Sequence, residues 1–169
     1  MEPVISEKLE KAILDVITKI ESNKGLKIFA ENRSKFEGWF KVELITALTE
    51  FGFNAIPERD RIDVTIDDEW AIELKTVNTP YKKYPGDKYK SRPLSKNVKS
   101  VIKDIDDLKT KKKYINKAVI FIVFPYVDNK FLDSYQEDIE KKLSHDLKDY
   151  EFTFFESEIK GCLFWGYID

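Results

Sequence analysis

Asp63, Glu73 and Lys75 are the residues through which this chain could do chemistry. They lie in Arg61-Ile-Asp-Val-Thr-Ile-Asp-Asp-Glu-Trp-Ala-Ile-Glu-Leu-Lys75. Two carboxylates that converge offer hard oxygen donors to a divalent cation such as Mg2+. An ammonium beside them can orient a water or stabilise negative charge on a phosphate. The segment alternates apolar and polar residues, as two strands joined by a tight turn do.

Register decides whether the acids meet. Ile62, Val64 and Ile66 share one strand face; Trp70, Ile72 and Leu74 share the other strand's face. Both sets must reach the same core, which pairs Ile66 with Trp70, Val64 with Ile72 and Ile62 with Leu74. The turn is then Asp67-Asp68-Glu69, and Asp63 falls opposite Glu73. Their Cβ atoms are expected about 4.5–5.5 Å apart, where like charges repel unless a cation or proton lies between them. Lys75 points the same way as Glu73. The acid-x-Lys triplet alone says little, since Asp107-Leu-Lys109, Asp128-Asn-Lys130, Glu140-Lys-Lys142, Asp146-Leu-Lys148 and Glu158-Ile-Lys160 also match it. Only Glu73-Leu-Lys75 sits in an apolar strand with an acid across from it. The competing reading is a solvated hairpin face bearing a charge cluster.

Glu43 lies inside the apolar stripe Phe36, Phe40, Leu44, Ala47, Leu48 and Phe51. A carboxylate there must be paired, protonated or metal-linked, so Glu43 is a further candidate. The helix carrying it is expected to start at Ser34, with Glu37 completing a capping box, and to end at Gly52. An N-terminal helix spans about 6–22, with Ser6 as N-cap and Gly25 as stop. A short strand near 53–56 precedes the two strands, at about 61–67 and 70–76. A long loop follows, from about 77 to 95. A helix over about 96–112, an apolar strand at 118–124 that must be covered on both faces, and a helix over about 130–147 come next. Two strands, 151–156 and 162–168, joined through Gly161, complete one 169-residue α/β domain: a mixed sheet flanked by helices.

The net charge of −2 hides an asymmetry. Tyr81 to Tyr114 carries 12 Lys/Arg against 4 Asp, so one basic side is available to a polyanion. Lys82, Lys83, Lys88, Lys90 and Arg92 on the loop, and Lys96, Lys99 and Lys103 on the helix after it, are the candidate nucleic-acid contacts. Tyr81, Tyr84 and Tyr89 could stack on bases or pin the loop. The single histidine, His145, argues against a His-based metal cluster or catalytic triad. The single cysteine, Cys162, excludes an intrachain disulfide, and a reducing cytoplasm is the expected setting. No apolar run reaches the roughly 18 residues of a membrane span, so no membrane partner is expected.

From Ser34 to Tyr126 the order helix, hairpin, acid-x-Lys strand, helix, buried strand resembles the PD-(D/E)xK nuclease superfamily, the restriction-endonuclease-like fold. Asp63 falls on that family's first acid, Glu73 on its second and Lys75 on its lysine; Glu43 matches the acid many members carry on the preceding helix. Ile62 stands where the family name puts proline, and Asp60 is the other candidate for the first acid. The resemblance implies Mg2+-dependent hydrolysis of phosphodiesters, in DNA first, with Mn2+ as a substitute ion. It implies Asp63, Glu73, the Leu74 carbonyl and Glu43 around the metal. It also admits a homodimer, for which the aromatic run Phe164-Trp-Gly-Tyr167 is a candidate interface. The alternative is a non-catalytic nucleic-acid-binding or assembly subunit that keeps the fold.

Overall fold

The computed structural model describes residues 3–81, 93–131, 135–143 and 145–168, with side chains from residue 7 onward. Eleven elements organise them: α1 (Pro3–Ser22), α2 (Lys24–Glu31), α3 (Glu37–Glu50), β1 (Ala55–Pro57), β2 (Val64–Ile66), β3 (Trp70–Asn78), α4 (Leu94–Lys109), β4 (Asn116–Phe124), α5 (Glu137–Leu143), β5 (Lys148–Thr153) and β6 (Lys160–Ile168). The six strands form one mixed sheet in the order β1-β2-β3-β4-β6-β5. Only β3 and β4 run parallel, and α4 lies in the connection between them, as a parallel pair requires.

Alternation along β3 divides the molecule into two layers. Trp70, Ile72 and Leu74 join Leu9, Ile13, Phe40 and Leu44 in a core under α1 and α3. Ala71 and Val77 join Val98, Val101, Ile105 and Leu143 in a core under α4 and α5. β4 feeds both cores, with Ile120 and Ile122 on one face and Phe121 and Val123 on the other. Its apolar run is thus the signature of a strand covered on both sides.

Several boundaries differ from the sequence expectation, each for a local reason. α1 begins at Pro3, a residue suited to a first helical position, so Ser6 is inside it. Gly25 does not stop the chain's first helical stretch. Asn23 does: its side chain accepts the Leu26 N–H at 3.0 Å and caps a second helix containing Gly25. The expected strand at 61–67 is only three residues long. A 3-10 turn, Arg59–Arg61, precedes it, and Ile62 swings into the α4 core instead of pairing with Leu74. Gly161 lies within β6, where the Phe152 ring sits so close that a Cβ would lie 2.4 Å from its Cζ. The aromatic C-terminal run is core rather than interface: β6 lies between β4 and β5, and Phe164 and Trp165 are fully buried, one in each layer.

Candidate active site

The hairpin register holds where it matters. Val64 pairs with Ile72, Thr65 with Ala71 and Ile66 with Trp70. The turn is Asp67-Asp68-Glu69, with Asp67 and Asp68 at φ of 50° and 60°. Continuing that register by one residue brings Asp63 to Glu73, and their carboxylates hydrogen-bond each other. Asp63 is fixed further by the Leu74 N–H, which donates to its Oδ2 at 2.9 Å. β2 stops at Val64, so Asp63 stands at the open end of the hairpin, within reach of both helical layers.

One proton is shared across this pair. Glu73 is pushed up to about 9, first by burial, then by the hydrogen bond and charge of Asp63 and by the charge of Asp104. Burial alone would raise Asp63 as well. Hydrogen bonds from Lys41, Glu73 and the Leu74 N–H outweigh it and hold Asp63 below the usual carboxylate range. Asp63 is therefore ionised and Glu73 protonated near neutral pH, the arrangement of two acids without a cation between them.

Lys75 points to the same sheet face as Glu73 and pairs with Asp104 of α4 at 2.8 Å. Burial opposes the charge on Lys75, but the hydrogen bond and charge of Asp104 prevail and raise its pKa. Asp104 itself is raised, because burial outweighs its pairing with Lys75. Lys75 thus stays an ammonium: a donor and counter-charge, not a base.

Glu43 does not join this site. Its carboxylate faces α1, 3.2 Å from Lys19 Nζ. The helix explains the correction: residues two apart point to nearly opposite sides, and Lys41 is the one that faces Asp63. Lys41 Nζ lies 2.7 Å from Asp63 Oδ1 and also pairs with Glu58. One turn earlier on the same side, Glu37 accepts hydrogen bonds from the N–H and hydroxyl of Thr76, at 3.2 and 3.3 Å. It is a sheet-facing acid near Lys75 rather than the closing residue of a capping box; the helix starts at Glu37 with no side-chain cap. Asp60 does not join the pair: it lies within the 3-10 turn, where Tyr114 and Lys113 hold its carboxylate at 2.6 and 3.0 Å.

Sequence reasoning missed Lys41, Asp104 and Glu58. Lys41 follows Phe40 and Asp104 precedes Ile105, both buried core residues, so a charge at a stripe edge was the available signal. A buried polar cluster at the end of β3 sets the two helices around the strand. Asn97 of α4 donates to the carbonyl and side-chain oxygens of Asn78, at 3.1 and 2.9 Å, and Asn78 donates to the Arg33 carbonyl at 2.9 Å. Arg33 in turn donates to the Thr79 carbonyl. α4 and the segment before α3 are thereby tied to one strand end, which keeps Asp104 and Lys41 on either side of the acid pair.

Lys96, Lys99 and Lys103 are exposed along α4, at spacings that keep them on one side of the helix next to Asp104. Lys82, Lys83, Lys88, Lys90, Arg92, Tyr84 and Tyr89 lie outside the described residues. Tyr81 is pinned: its hydroxyl donates to the Lys130 carbonyl at 3.3 Å, and Lys130 Nζ sits 5.9 Å from its ring centroid. Among the described residues no helix is long and apolar enough to cross a membrane.

Asp63 and Glu73 suit a small hard cation that binds through one or two carboxylates and keeps several waters. Among the described residues no group of three or more His, Cys, Asp or Glu side chains is placed to hold a metal. No family model, no curated protein and no solved structure matches this chain.

Proposed function

We propose that this protein is an Mg2+-dependent nuclease that hydrolyses phosphodiester bonds, in DNA first, on a restriction-endonuclease-like fold. The observation that carries this reading is the meeting of Asp63 and Glu73 around a shared proton beside a charged Lys75. The order α3, β1–β3, α4, β4, with the acid-x-Lys strand parallel to a buried strand, supports the fold assignment.

Asp63 and Glu73 would hold the ion, Mg2+ or Mn2+, and the Leu74 carbonyl is a further candidate donor. A divalent cation there supplies Lewis-acid chemistry, polarising a phosphoryl oxygen and making water more acidic. Glu73 would release its proton to solvent on binding the cation. Lys75 remains protonated, so it orients the attacking water and offsets charge on the phosphate. Asp104 fixes where that ammonium stands. Lys96, Lys99 and Lys103 track the backbone of the strand being cut.

One observation favours the other reading, a non-catalytic nucleic-acid-binding or assembly subunit: Lys41 and Lys75 are already neutralised by carboxylates of the fold. Incubation with single-stranded, duplex and branched DNA and with RNA, with and without Mg2+ or Mn2+, separates the two. Cation-dependent cleavage that Glu73→Ala and Lys75→Ala both lose is the expected result. Binding without cleavage, unchanged in both variants, refutes the nuclease reading.

Asp104→Asn is expected to slow single-turnover cleavage by about 10–100-fold, the usual scale for a residue that orients a reacting group. Substrate affinity should be nearly unchanged, and Asp104→Glu should recover part of the rate. A loss confined to affinity would remove Asp104 from the role of positioning Lys75.

A further inference from the structure

Lys41 occupies one of the two carboxylate oxygens that Asp63 could offer a cation. Asp63 Oδ2 is taken by the Leu74 N–H, while Oδ1 lies 2.7 Å from the Lys41 ammonium. The same ammonium pairs with Glu58, whose side chain is 70% exposed, against 16% for Lys41. We infer that Lys41 is a built-in competitor for the cation at Asp63, and that Glu58 is the second seat onto which its ammonium moves when the site loads. The inference rests on the reading of Asp63 and Glu73 as cation ligands.

The surroundings leave the ammonium few other places. Phe40, the residue before Lys41, is fully buried, and Glu37 one turn earlier is bonded to Thr76, so this part of α3 is fixed against the sheet. Glu43 points to α1. Asp104 is committed to Lys75. Glu58 is therefore the partner that lets Lys41 leave Asp63 without becoming a lone, half-buried charge, which would be strongly unfavourable. Its place is set by an unusual stretch of backbone: Glu58, Asp60 and Arg61 all adopt positive φ, at 57°, 56° and 61°. The protein thus sets its own loading threshold. The apparent affinity for the cation is the intrinsic one multiplied by the fraction of time that Lys41 spends off Asp63.

The test is a Mn2+ titration of the full chain without nucleic acid, following free Mn2+ by electron paramagnetic resonance. Lys41→Met is expected to bind Mn2+ about tenfold more tightly than wild type, which corresponds to Lys41 being off Asp63 about one-tenth of the time. Glu58→Gln is expected to bind several-fold more weakly. In the Lys41→Met background, Glu58→Gln should change nothing, because the seat matters only to its occupant. If Glu58→Gln weakens binding equally in both backgrounds, the two residues are only background charge and the inference fails. Unchanged or weaker binding by Lys41→Met also overturns it, while Mn2+ binding that Glu73→Ala abolishes would leave the cation site standing. No Mn2+ binding by wild type or Lys41→Met overturns both. Should Lys41→Met not fold, Lys41→Gln takes its place in both comparisons, with the same supporting and overturning outcomes.

Discussion

Glu73→Gln is expected to reduce cation-dependent cleavage by about 10³-fold or more, the scale of losing a charged group that acts on the reacting atoms. The substitution keeps the shape of the side chain and a hydrogen bond to Asp63, so the loss isolates the carboxylate's charge. The same variant should change how stability depends on pH. Wild-type Glu73 keeps its proton in the folded protein up to about 9, whereas an unfolded glutamate loses it near 4.5. Between those values the folded state binds more protons than the unfolded one, so stability is full below about 4.5 and falls as pH rises through the window. The slope is at most about 1.4 kcal/mol per pH unit. Asp63 acts oppositely, because its lowered value gives stability that is lost as pH falls. The contributions of Lys41 and Lys75, both raised, are lost only above the ordinary lysine range. Asp104, also raised, adds to the loss as pH rises in both proteins. Thermal melts from pH 5 to 9 should therefore slope downward more steeply for wild type than for Glu73→Gln. Parallel profiles for the two proteins would mean that Glu73 does not hold a proton against Asp63.

Phe164→Ala is expected to cost about 3–5 kcal/mol, the range for emptying a fully buried aromatic site. Phe164 stacks on Phe121 with centroids 5.3 Å apart, lies 5.3 Å from Phe131, and meets Tyr126 edge-on at 6.0 Å. Three rings would line the void, and none can collapse without disturbing β4 or its neighbours. In a domain of this size the melting temperature should fall on the order of 10 °C. Urea denaturation gives the free energy directly, and size-exclusion chromatography on the same sample separates core from interface. A variant that keeps its stability and changes only its oligomeric state would return Phe164 to an interface role.

The geometry legible in the sequence is the part governed by strand alternation. A one-residue slip of either strand would have turned its apolar set, Val64 and Ile66 or Ile72 and Leu74, to the other face of the sheet. The pairing of Asp63 with Glu73 followed from that constraint, as did the side on which Lys75 stands. The helix was harder. α3 buries Phe40, Leu44, Ala47 and Leu48 between the sheet and α1, so its apolar stripe has two polar edges, one facing each neighbour. Glu43 lies on one edge and Lys41 on the other, and local sequence does not say which edge meets β3. Glu37 satisfied a capping pattern that the actual helix start does not use. Asp104, Asp106 and Asp107 are likewise close in sequence, and only the docking of α4 selects Asp104. Strand existence, the mixed sheet and the doubly covered β4 were readable because they depend on composition over many residues; helix phase depends on partners far along the chain.

The position of β6 between β4 and β5 has a kinetic meaning. Among the described residues β5 pairs with β6 alone, and β4 has one unpaired edge until β6 arrives. Until then Ala118–Phe124, seven consecutive apolar residues without charge or proline, has the character of a segment that pairs with copies of itself. Refolding is thus a race between an intramolecular zipper closed over some forty residues and an intermolecular one open to any neighbouring chain. Dilution favours the first.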